Sequence, residues 1–205
     1  GGAIVVTAQR RNENLKNVPI SVGVLKGDDY QDFKAAGGDA LLSLSGKVPS
    51  LYVESTTGRI FPRFYIRGLG NTDFDLNASQ PVGLVYDDIV QENPVLKGFP
   101  VFDVDQVEIL RGPQGTLFGR NSPAGVIKFD SAKPGKRFEG YASVGFGNYG
   151  AVNLESAINA PINSDWAARV SAQAQSRNDR VNNPQATGTR SLEGYHDNAA
   201  RVQLQ

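Results

Sequence analysis

The last third of the chain alternates between apolar and polar residues, and this pattern constrains the fold more than any other feature. Four segments after residue 133 show it when they are read two residues at a time. One side of each segment is apolar: Gly140, Ala142, Val144 and Phe146; Val152, Leu154, Ile158 and Ala160; Trp166, Ala168, Val170, Ala172 and Ala174; Ala200, Val202 and Leu204. Charged and amide side chains occupy much of the other side. A period of two predicts four β-strands, each with one apolar face.

These segments are long for a water-soluble sheet. Each has about 10 residues or more, against about 5–6 in a typical globular strand, and this length suits a tilted membrane strand. Trp166 lies beside a tight turn, where an interfacial aromatic side chain is expected. We therefore expect the apolar faces to meet lipid, although half-solvated strands of a soluble sandwich alternate in the same way. Because only closed barrels avoid an unpaired edge in hydrocarbon, further strands are expected after Gln205, and the chain is interpreted as an N-terminal portion.

The first two thirds of the chain have a different character. Short β-rich runs begin at residues 20, 51, 63, 82, 104 and 125, and glycine or proline marks most junctions between them. Between the first two runs, Asp28 and Asp39 are candidate caps of short helical turns. The second of these turns presents Leu41, Leu42 and Leu44. The pattern predicts a small domain that mixes strands with short helices.

Composition excludes several classes of function. Lys plus Arg and Asp plus Glu both number 21, so no net charge attracts nucleic acid, and we expect no nucleic acid partner. The chain has no cysteine, which excludes thiolate nucleophiles and thiolate metal sites. The single histidine, His196, lies in a polar segment and is interpreted as exposed. We expect no catalytic residue, no metal and no cofactor. No apolar run approaches the ~20 residues of a membrane helix.

Two glycine-rich stretches resemble phosphate-binding loops. Residues 145–150 fit G-x-G-x-x-G, but an alternating strand follows where a helix N-terminus is needed, so a hairpin turn is predicted. Residues 111–120 lack the Gly-Lys-Ser/Thr ending, and Pro113 removes a backbone donor; a helical turn starting at Pro113 is predicted. Arg111 and Arg120 then need partners. No acidic cluster lies beside them in sequence, although the chain could fold back to bring Asp87, Asp88, Asp103 and Asp105 to them. The alternative is that the two guanidinium groups bind carboxylates on another part of the protein that surrounds this domain.

Four segments, taken in order, carry a family resemblance. Ile4–Ala8 (IVVTA) looks like a TonB box, and residues 19–53 resemble the first part of a plug domain. Phe64–Gly68 (FYIRG) looks like the central Arg-Gly strand of the plug. Val107–Phe129 resembles the closing signature of the plug, which leads towards the first barrel strand. The chain is similar to the N-terminal part of a TonB-dependent outer-membrane receptor.

The resemblance implies an α+β plug domain, a small mixed sheet with short helices, inside a transmembrane antiparallel β-barrel of which about four strands are present. It divides the chain into a TonB box and linker at 1–18, a plug at 19–133 and barrel strands at 134–205. It implies active transport rather than catalysis, in the outer membrane of a Gram-negative bacterium. The implied partners are TonB, outer-membrane lipid and a scarce nutrient, with a ferric siderophore or other iron complex first. Cobalamin, an oligosaccharide, or a soluble periplasmic binding module are the alternatives.

The resemblance also implies roles for particular residues. The implied contacts to TonB are Ile4, Val5, Val6, Thr7 and Ala8; the alternative is that this segment is a leading strand of the plug. The implied locking residues are Arg67, Gly68, Arg111, Gly112 and Arg120, and the arginines among them would face barrel glutamates. The candidate substrate contacts in outward loops are Arg59, Phe61, Asp73, Phe74 and Asp75. Asp88 and the Pro123–Ala124 pair depart from the family pattern and leave the local backbone geometry open.

Overall fold

The computed structural model describes residues 4–8, 11–26, 40–56, 58–59, 61–73, 75, 78–93, 97–118, 122–185, 187–188 and 191–205. These residues form two compact units. The first unit holds the described residues within 1–33, 39–99 and 104–131, and the second holds those within 100–103 and 132–205. Asp28, Asp39 and the first helical turn expected there lie outside the described residues. Within these ranges, no helix combines the length and the apolar character needed to cross a membrane.

Within the described residues, the first unit is built from short strands, two single-turn α-helices and a 3-10 turn at Leu15–Asn17. Its strands are β1 (Val5–Val6), β2 (Glu13–Asn14), β3 (Ser21–Leu25), β4 (Leu51–Glu54), β5 (Arg63–Ile66), β6 (Leu69–Gly70), β7 (Val82–Tyr86), β8 (Ile89–Val90), β9 (Val104–Arg111) and β10 (Gly125–Ser131). Its helices are α1 (Ala40–Ser43) and α2 (Gly115–Phe118). All six β-rich runs predicted from the sequence are confirmed as β3, β4, β5, β7, β9 and β10.

A five-stranded mixed sheet forms the centre of the first unit. Its order is β3-β9-β10-β7-β8; β10 pairs with β7 in parallel, and the other pairs are antiparallel. Two smaller antiparallel sheets, β4-β5-β6 and β1-β2, accompany it. Strands β9 and β10 are buried along nearly their whole length, as expected for strands covered on both faces. They supply the core side chains Val107, Ile109, Leu110, Val126, Ile127 and Phe129.

Two tight hairpins rely on residues in the left-handed backbone region. Asp87 and Asp88, between β7 and β8, have φ of 46° and 67°. Arg67 and Gly68, between β5 and β6, have φ of 54° and 82°. Paired positive φ values match the twist of a two-residue hairpin, and aspartate tolerates this region better than most residues. Asp88, which departs from the family pattern, is therefore compatible with the turn that the backbone makes there.

A four-stranded antiparallel sheet dominates the second unit. Its strands are β11 (Glu139–Gly147), β12 (Ala151–Pro161), β13 (Ala167–Arg177), β14 (Val181–Asn182), β15 (Ser191–Leu192) and β16 (Tyr195–Leu204). The order is β11-β12-β13-β16, while β14 and β15 form a separate small hairpin. The four predicted strands and the tight turn at 148–150 are confirmed. The fourth predicted strand is longer than its apolar residues Ala200, Val202 and Leu204 indicate, because β16 begins at Tyr195 and pairs there with Arg177.

The sheet of the second unit is inverted relative to a water-soluble sheet. Ile158, Val170 and Val202 lie side by side in register and are 57%, 49% and 69% exposed. On the opposite face, Asn159 and Ser171 are almost fully buried. Soluble proteins bury apolar side chains and expose amides and charges, whereas the outer faces of membrane strands do the reverse.

Candidate functional site: the N-terminal segment and the charged face it contacts

Segment 4–8 is docked in the first unit. Ile4 and Val5 are about half exposed, whereas Val6 and Ala8 are fully buried in an apolar cluster that includes Leu110. Strand β1 pairs with β2, and the Leu15 N–H donates to the Ile4 carbonyl at 2.9 Å. The segment is therefore extended and anchored along one edge, by a ladder only two residues long.

Thr7 lies between the two buried apolar residues and binds charged groups. Its backbone N–H donates to Glu108 Oε1 at 2.6 Å. Its hydroxyl lies 3.2 Å from the same oxygen and 3.0 Å from Asp130 Oδ2. The Lys128 ammonium donates to that hydroxyl at 2.5 Å and to Asp130 Oδ1 at 2.6 Å. We refer to Thr7, Glu108, Lys128 and Asp130 as the Thr7 cluster.

Strand register explains why the three charged residues meet. Glu108 on β9 is directly opposite Lys128 on β10, and Gln106 is directly opposite Asp130. Residues two apart on a strand share a face, so these four side chains form a polar square on one face of the central sheet. The next pair on that face is Leu110 with Val126, which belongs to the apolar cluster. The same face thus offers an apolar surface and a charged one side by side.

The charged part of this face is poorly hydrated. Glu108 is fully buried, and the Lys128 side chain is 2% exposed. Burial raises the pKa of Glu108 above its usual 4.5, and the Asp130 carboxylate raises it further, against the opposing effects of the Thr7 hydrogen bonds and Lys128. Glu108 Oε2 is buried and has no hydrogen-bond partner among the described residues. One oxygen of this carboxylate is therefore saturated with donors while the other has none.

The expected locking residues lie close together in part. Arg67 is exposed, and a Cβ added to Gly112 would lie 3.8 Å from Arg67 Nη1, so the guanidinium passes beside that glycine. Gly112 has φ of 105°, which favours glycine. Arg111 donates to the Pro49 carbonyl at 3.3 Å. Gly68 occupies the β5–β6 turn beside Arg67, and Arg120 lies outside the described residues.

The contacts seen for the four aspartates proposed as partners of Arg111 and Arg120 are with other residues, and Arg120 lies outside the described residues. Asp87 accepts from Ser131, and Asp105 pairs with Lys26 at 2.9 Å. Asp88 lies 3.5 Å from Lys128, and Asp103 belongs to the second unit. Within the described ranges, neither Arg67 nor Arg111 has a carboxylate partner. Whether they face barrel glutamates stays a prediction.

The candidate substrate residues lie in two loops of the first unit. Arg59 and Phe61 are half-buried between β4 and β5, whereas Asp73 and Asp75 are exposed between β6 and β7. Phe74 lies outside the described residues. The second loop is tied down at its ends: the buried Asn71 exchanges hydrogen bonds with the backbone of Val82, and Gln80 donates to the Asp73 carbonyl at 2.9 Å. These contacts support an exposed acidic tip.

The second unit contains an ion cluster centred on Asp103. The Arg169 guanidinium binds this carboxylate through two nitrogens, at 2.8 Å and 2.6 Å, and Arg201 approaches within 3.3 Å. The Tyr141 hydroxyl donates to Asp103 at 3.2 Å and also to Glu155. Burial by itself raises the pKa of Asp103, but the hydrogen bonds and positive charge of Arg169 outweigh it and lower that pKa. The cluster joins segment 100–103 to the polar face of the sheet.

Sequence reasoning missed both charged clusters. Glu108, Lys128 and Asp103 sit in β-rich runs and their flanks, and the alternating pattern marked only which residues share a face. A usable signal was present for Glu108 and Lys128, since each interrupts a run that is otherwise apolar in the most buried strands. A charge at such a position requires a partner.

The comparisons with known proteins agree with the fold. The family model for the TonB-dependent Receptor Plug Domain matches residues 14–126. The pesticin receptor of Yersinia pestis is 27% identical over 203 residues, which cover 98% of this chain and 29% of that protein. The vitamin B12 transporter BtuB of Vibrio vulnificus (strain CMCP6) is 32% identical over 130 residues, which cover 60% of this chain and 20% of the transporter. The crystal structure of the ferric yersiniabactin uptake receptor FyuA from Yersinia pestis superposes with a TM-score of 0.78 at 26% identity, covering 90% of this chain and 28% of that one.

These matches define the class of the domain at residues 14–126, which is a receptor plug domain. The chain belongs to the TonB-dependent receptor plug domain family. The family resemblance and the fold class predicted from the sequence are thereby confirmed. The chain spans less than a third of the length of the relatives it matches.

Proposed function

We propose that this protein carries out TonB-dependent active transport of a ferric siderophore or similar iron complex across the outer membrane of a Gram-negative bacterium. The observation that carries the proposal is the presence, in one chain, of a plug-family unit and a sheet with its apolar face exposed. A soluble periplasmic module would have to hide that face from water. Lipid is the occupant that suits an apolar band on strands of about ten residues. In this proposal the division of the chain is the one predicted from the sequence, with a TonB box and linker at 1–18, a plug at 19–133 and barrel strands at 134–205.

Segment 4–8 is the proposed contact for TonB. An extended, β-prone segment adds as a strand to the edge of a partner sheet through main-chain hydrogen bonds, which bear load. Ile4 and Val5 are exposed, and the ladder between β1 and β2 is two residues long, so little pairing has to break before the segment is released. In this proposal, pulling on the segment rearranges the plug and admits the cargo.

The cargo is proposed as an iron complex because one of the solved structures that covers 90% of this chain is a receptor named for ferric yersiniabactin uptake. Cobalamin is the second candidate, since a vitamin B12 transporter is among the relatives. The proposed contacts are the loop residues Arg59, Phe61, Asp73, Phe74 and Asp75, and the locking role of Arg67, Gly68, Arg111, Gly112 and Arg120 is part of the same proposal. Uptake of a labelled ferric siderophore and of labelled cobalamin by cells that express the complete gene separates the two cargos.

The energy-coupling role is tested at Val6. A Val6→Pro substitution removes a backbone donor and disfavours the strand geometry that a partner sheet would need. Energised uptake of the labelled cargo should be lost while binding of the cargo at the cell surface is retained. Val6→Ala is the matched control, because it shortens the same side chain and leaves the backbone donor in place. Wild-type uptake by the proline variant would contradict the role of the segment.

The cargo surface is tested at the exposed loop tip. Changing Asp73 and Asp75 together to alanine should weaken binding of the cargo severalfold, while the buried ends of the loop at Asn71 and Gln80 stay intact. The same double change at two exposed acids of the second unit, Asp165 and Asp179, serves as the control. Equal affinity in both double variants would remove this loop from the cargo site.

A further inference from the structure

Thr7 is the polar residue through which the docked segment meets the sheet. The flanking residues Val6 and Ala8 bind the apolar part of the sheet face and supply hydrophobic contact without direction. Thr7 supplies direction, because its amide and hydroxyl contact a carboxylate from β9 and a carboxylate and an ammonium from β10. Hydrogen bonds to charged groups are stronger than neutral ones. Docking of segment 4–8 therefore depends on the arrangement of three charges that lie more than 100 residues away in the sequence.

The same charges also favour release. Glu108 and Lys128 are almost without contact to water, and Glu108 Oε2 has no partner among the described residues. A buried carboxylate with an unsatisfied oxygen carries a desolvation cost that water removes as soon as the site opens. Departure of the segment would hydrate this oxygen and the ammonium together. The cluster thus opposes release through the Thr7 bonds and favours it through the burial of charge.

We propose that the Thr7 cluster sets the equilibrium between a docked and a released form of segment 4–8, and so controls how often the segment is available to a partner strand. The inference rests on the proposed function in that the partner is TonB. Lys128 acts as the central cation, since it bridges the Thr7 hydroxyl and Asp130. Thr7 is the matching residue on the segment.

A purely structural contact would behave differently. Loss of an ordinary core contact lowers the stability of the whole unit. Loss of a contact that only holds segment 4–8 in place increases the population of the released form and leaves the rest of the unit folded. Among the described residues, the segment joins the unit through two ladder residues, one further backbone bond to Ile4 and the contacts of Val6, Thr7 and Ala8. Such a short attachment opens locally at low cost. Local opening is therefore the quantity to measure.

Thiol labelling measures this opening directly, because the 205 residues contain no cysteine. A Val6→Cys substitution places a thiol at a fully buried position of similar size, so a maleimide reagent reaches it only in the released form. The experiment uses the receptor expressed from its complete gene, in detergent, with the receptor lacking this change as the blank. The labelling rate then reports the population of the released form when closing is fast.

Variants of the cluster, each combined with Val6→Cys, should change this rate in opposite directions. Thr7→Val keeps the shape and removes the hydroxyl, and Lys128→Met removes the central cation; each should raise the labelling rate about tenfold or more. Glu108→Gln keeps an acceptor for the Thr7 N–H and removes the buried charge, so its rate should equal the rate of the parent Val6→Cys receptor or fall below it. Thr7→Ser should restore most of the protection that Thr7→Val loses.

Two controls identify general loosening. Lys26→Met removes an ammonium from an exposed pair with Asp105 and should leave the rate unchanged. Val82→Cys, at a fully buried position in the central sheet, should stay unlabelled in every cluster variant. An unchanged labelling rate of the thiol at position 6 in both Thr7→Val and Lys128→Met overturns the proposal. Equal acceleration by Lys26→Met, or labelling at position 82, overturns it as well.

The result is separable from that of the proposed function. Labelling is measured without TonB, without cargo and without an energy source, so it reports on docking alone. If Val6→Pro leaves energised uptake intact, the function assigned to the segment fails, while faster labelling of the cluster variants would still show that Thr7 holds it. If labelling is unaffected and Val6→Pro abolishes uptake, the cluster proposal fails alone.

Discussion

Ala172 lies at the centre of the exposed apolar face of β13 and gives the sharpest test of what that face meets. It is the sixth of the eleven residues in the strand, and its register partners on the neighbouring strands are Ser156 and Ala200. Eleven residues at about 3.3 Å each extend about 36 Å, or about 27 Å in height at a tilt of about 40°. The apolar band of a membrane barrel is about 25 Å tall, so Ala172 would lie near the bilayer midplane.

An Ala172→Arg substitution should therefore lower the unfolding free energy strongly if this face contacts lipid, and only slightly if it contacts water. An arginine at the midplane of a lipid-facing strand costs about 2–4 kcal/mol, and near the interface about 0–1 kcal/mol. On a water-exposed surface, either change would stay within about 0.5 kcal/mol. Ser176→Arg is the matched control, because Ser176 shares the strand and the face but lies one residue from its end. We expect the two variants to differ by about 2–3 kcal/mol.

The assay is the urea-dependent unfolding free energy of the complete receptor refolded into phospholipid vesicles. The slope of the transition should be unchanged in both variants, because the surface that unfolding exposes is the same. Equal costs for Ala172→Arg and Ser176→Arg, within about 0.5 kcal/mol, would refute the reasoning that the apolar face is in lipid. A soluble protein with this sheet would give that result.

Two further predictions concern buried carboxylates. Asp103→Asn should lower the unfolding free energy by about 3 kcal/mol, because it leaves the Arg169 guanidinium buried without its counter-charge; a change below about 1 kcal/mol in urea unfolding would contradict this. Glu108 has a raised folded-state pKa, so its contribution to stability is greatest below its usual 4.5 and declines as the pH rises through the folded value. The melting temperature of the wild type minus that of Glu108→Gln should therefore fall as the pH rises from 4.5 through the folded-state pKa of Glu108. Both proteins keep Lys128 and Asp130. A difference that stays constant with pH would exclude the effect.

The strands could be predicted from the sequence because their signals are local. The period of two in the second unit, and the turn residues between its strands, depend on neighbours within about ten positions. The same holds for the β-rich runs of the first unit, where Val, Ile and Phe crowd between glycines and prolines. The apolar pattern marks β16 only from Ala200, because Asn198 and His196 on the same face are polar, and pairing with β13 extends the strand past them.

The contacts of the candidate site could not be predicted, because they depend on register between distant strands. Thr7 and Glu108 are 101 residues apart, and Thr7 and Asp130 are 123 apart. The chain order of β3, β9, β10 and β7 in the sheet decides which charges share a face, and no local pattern encodes that order. The aspartates proposed for Arg111 illustrate the difficulty: the chain does not fold back to bring any of the four to Arg111, and their partners are other residues.

The alternation in β11, β12, β13 and β16 also has a consequence for how such a chain is made. An unfolded strand of this kind presents a polar side chain at about every second position, so it offers no continuous greasy stretch to an export channel or to another nascent chain. A continuous apolar face exists only after the strands pair and their side chains lie on opposite faces of the sheet. An unfolded polypeptide with this pattern can stay soluble in water, and it forms an apolar surface that suits lipid only when it folds.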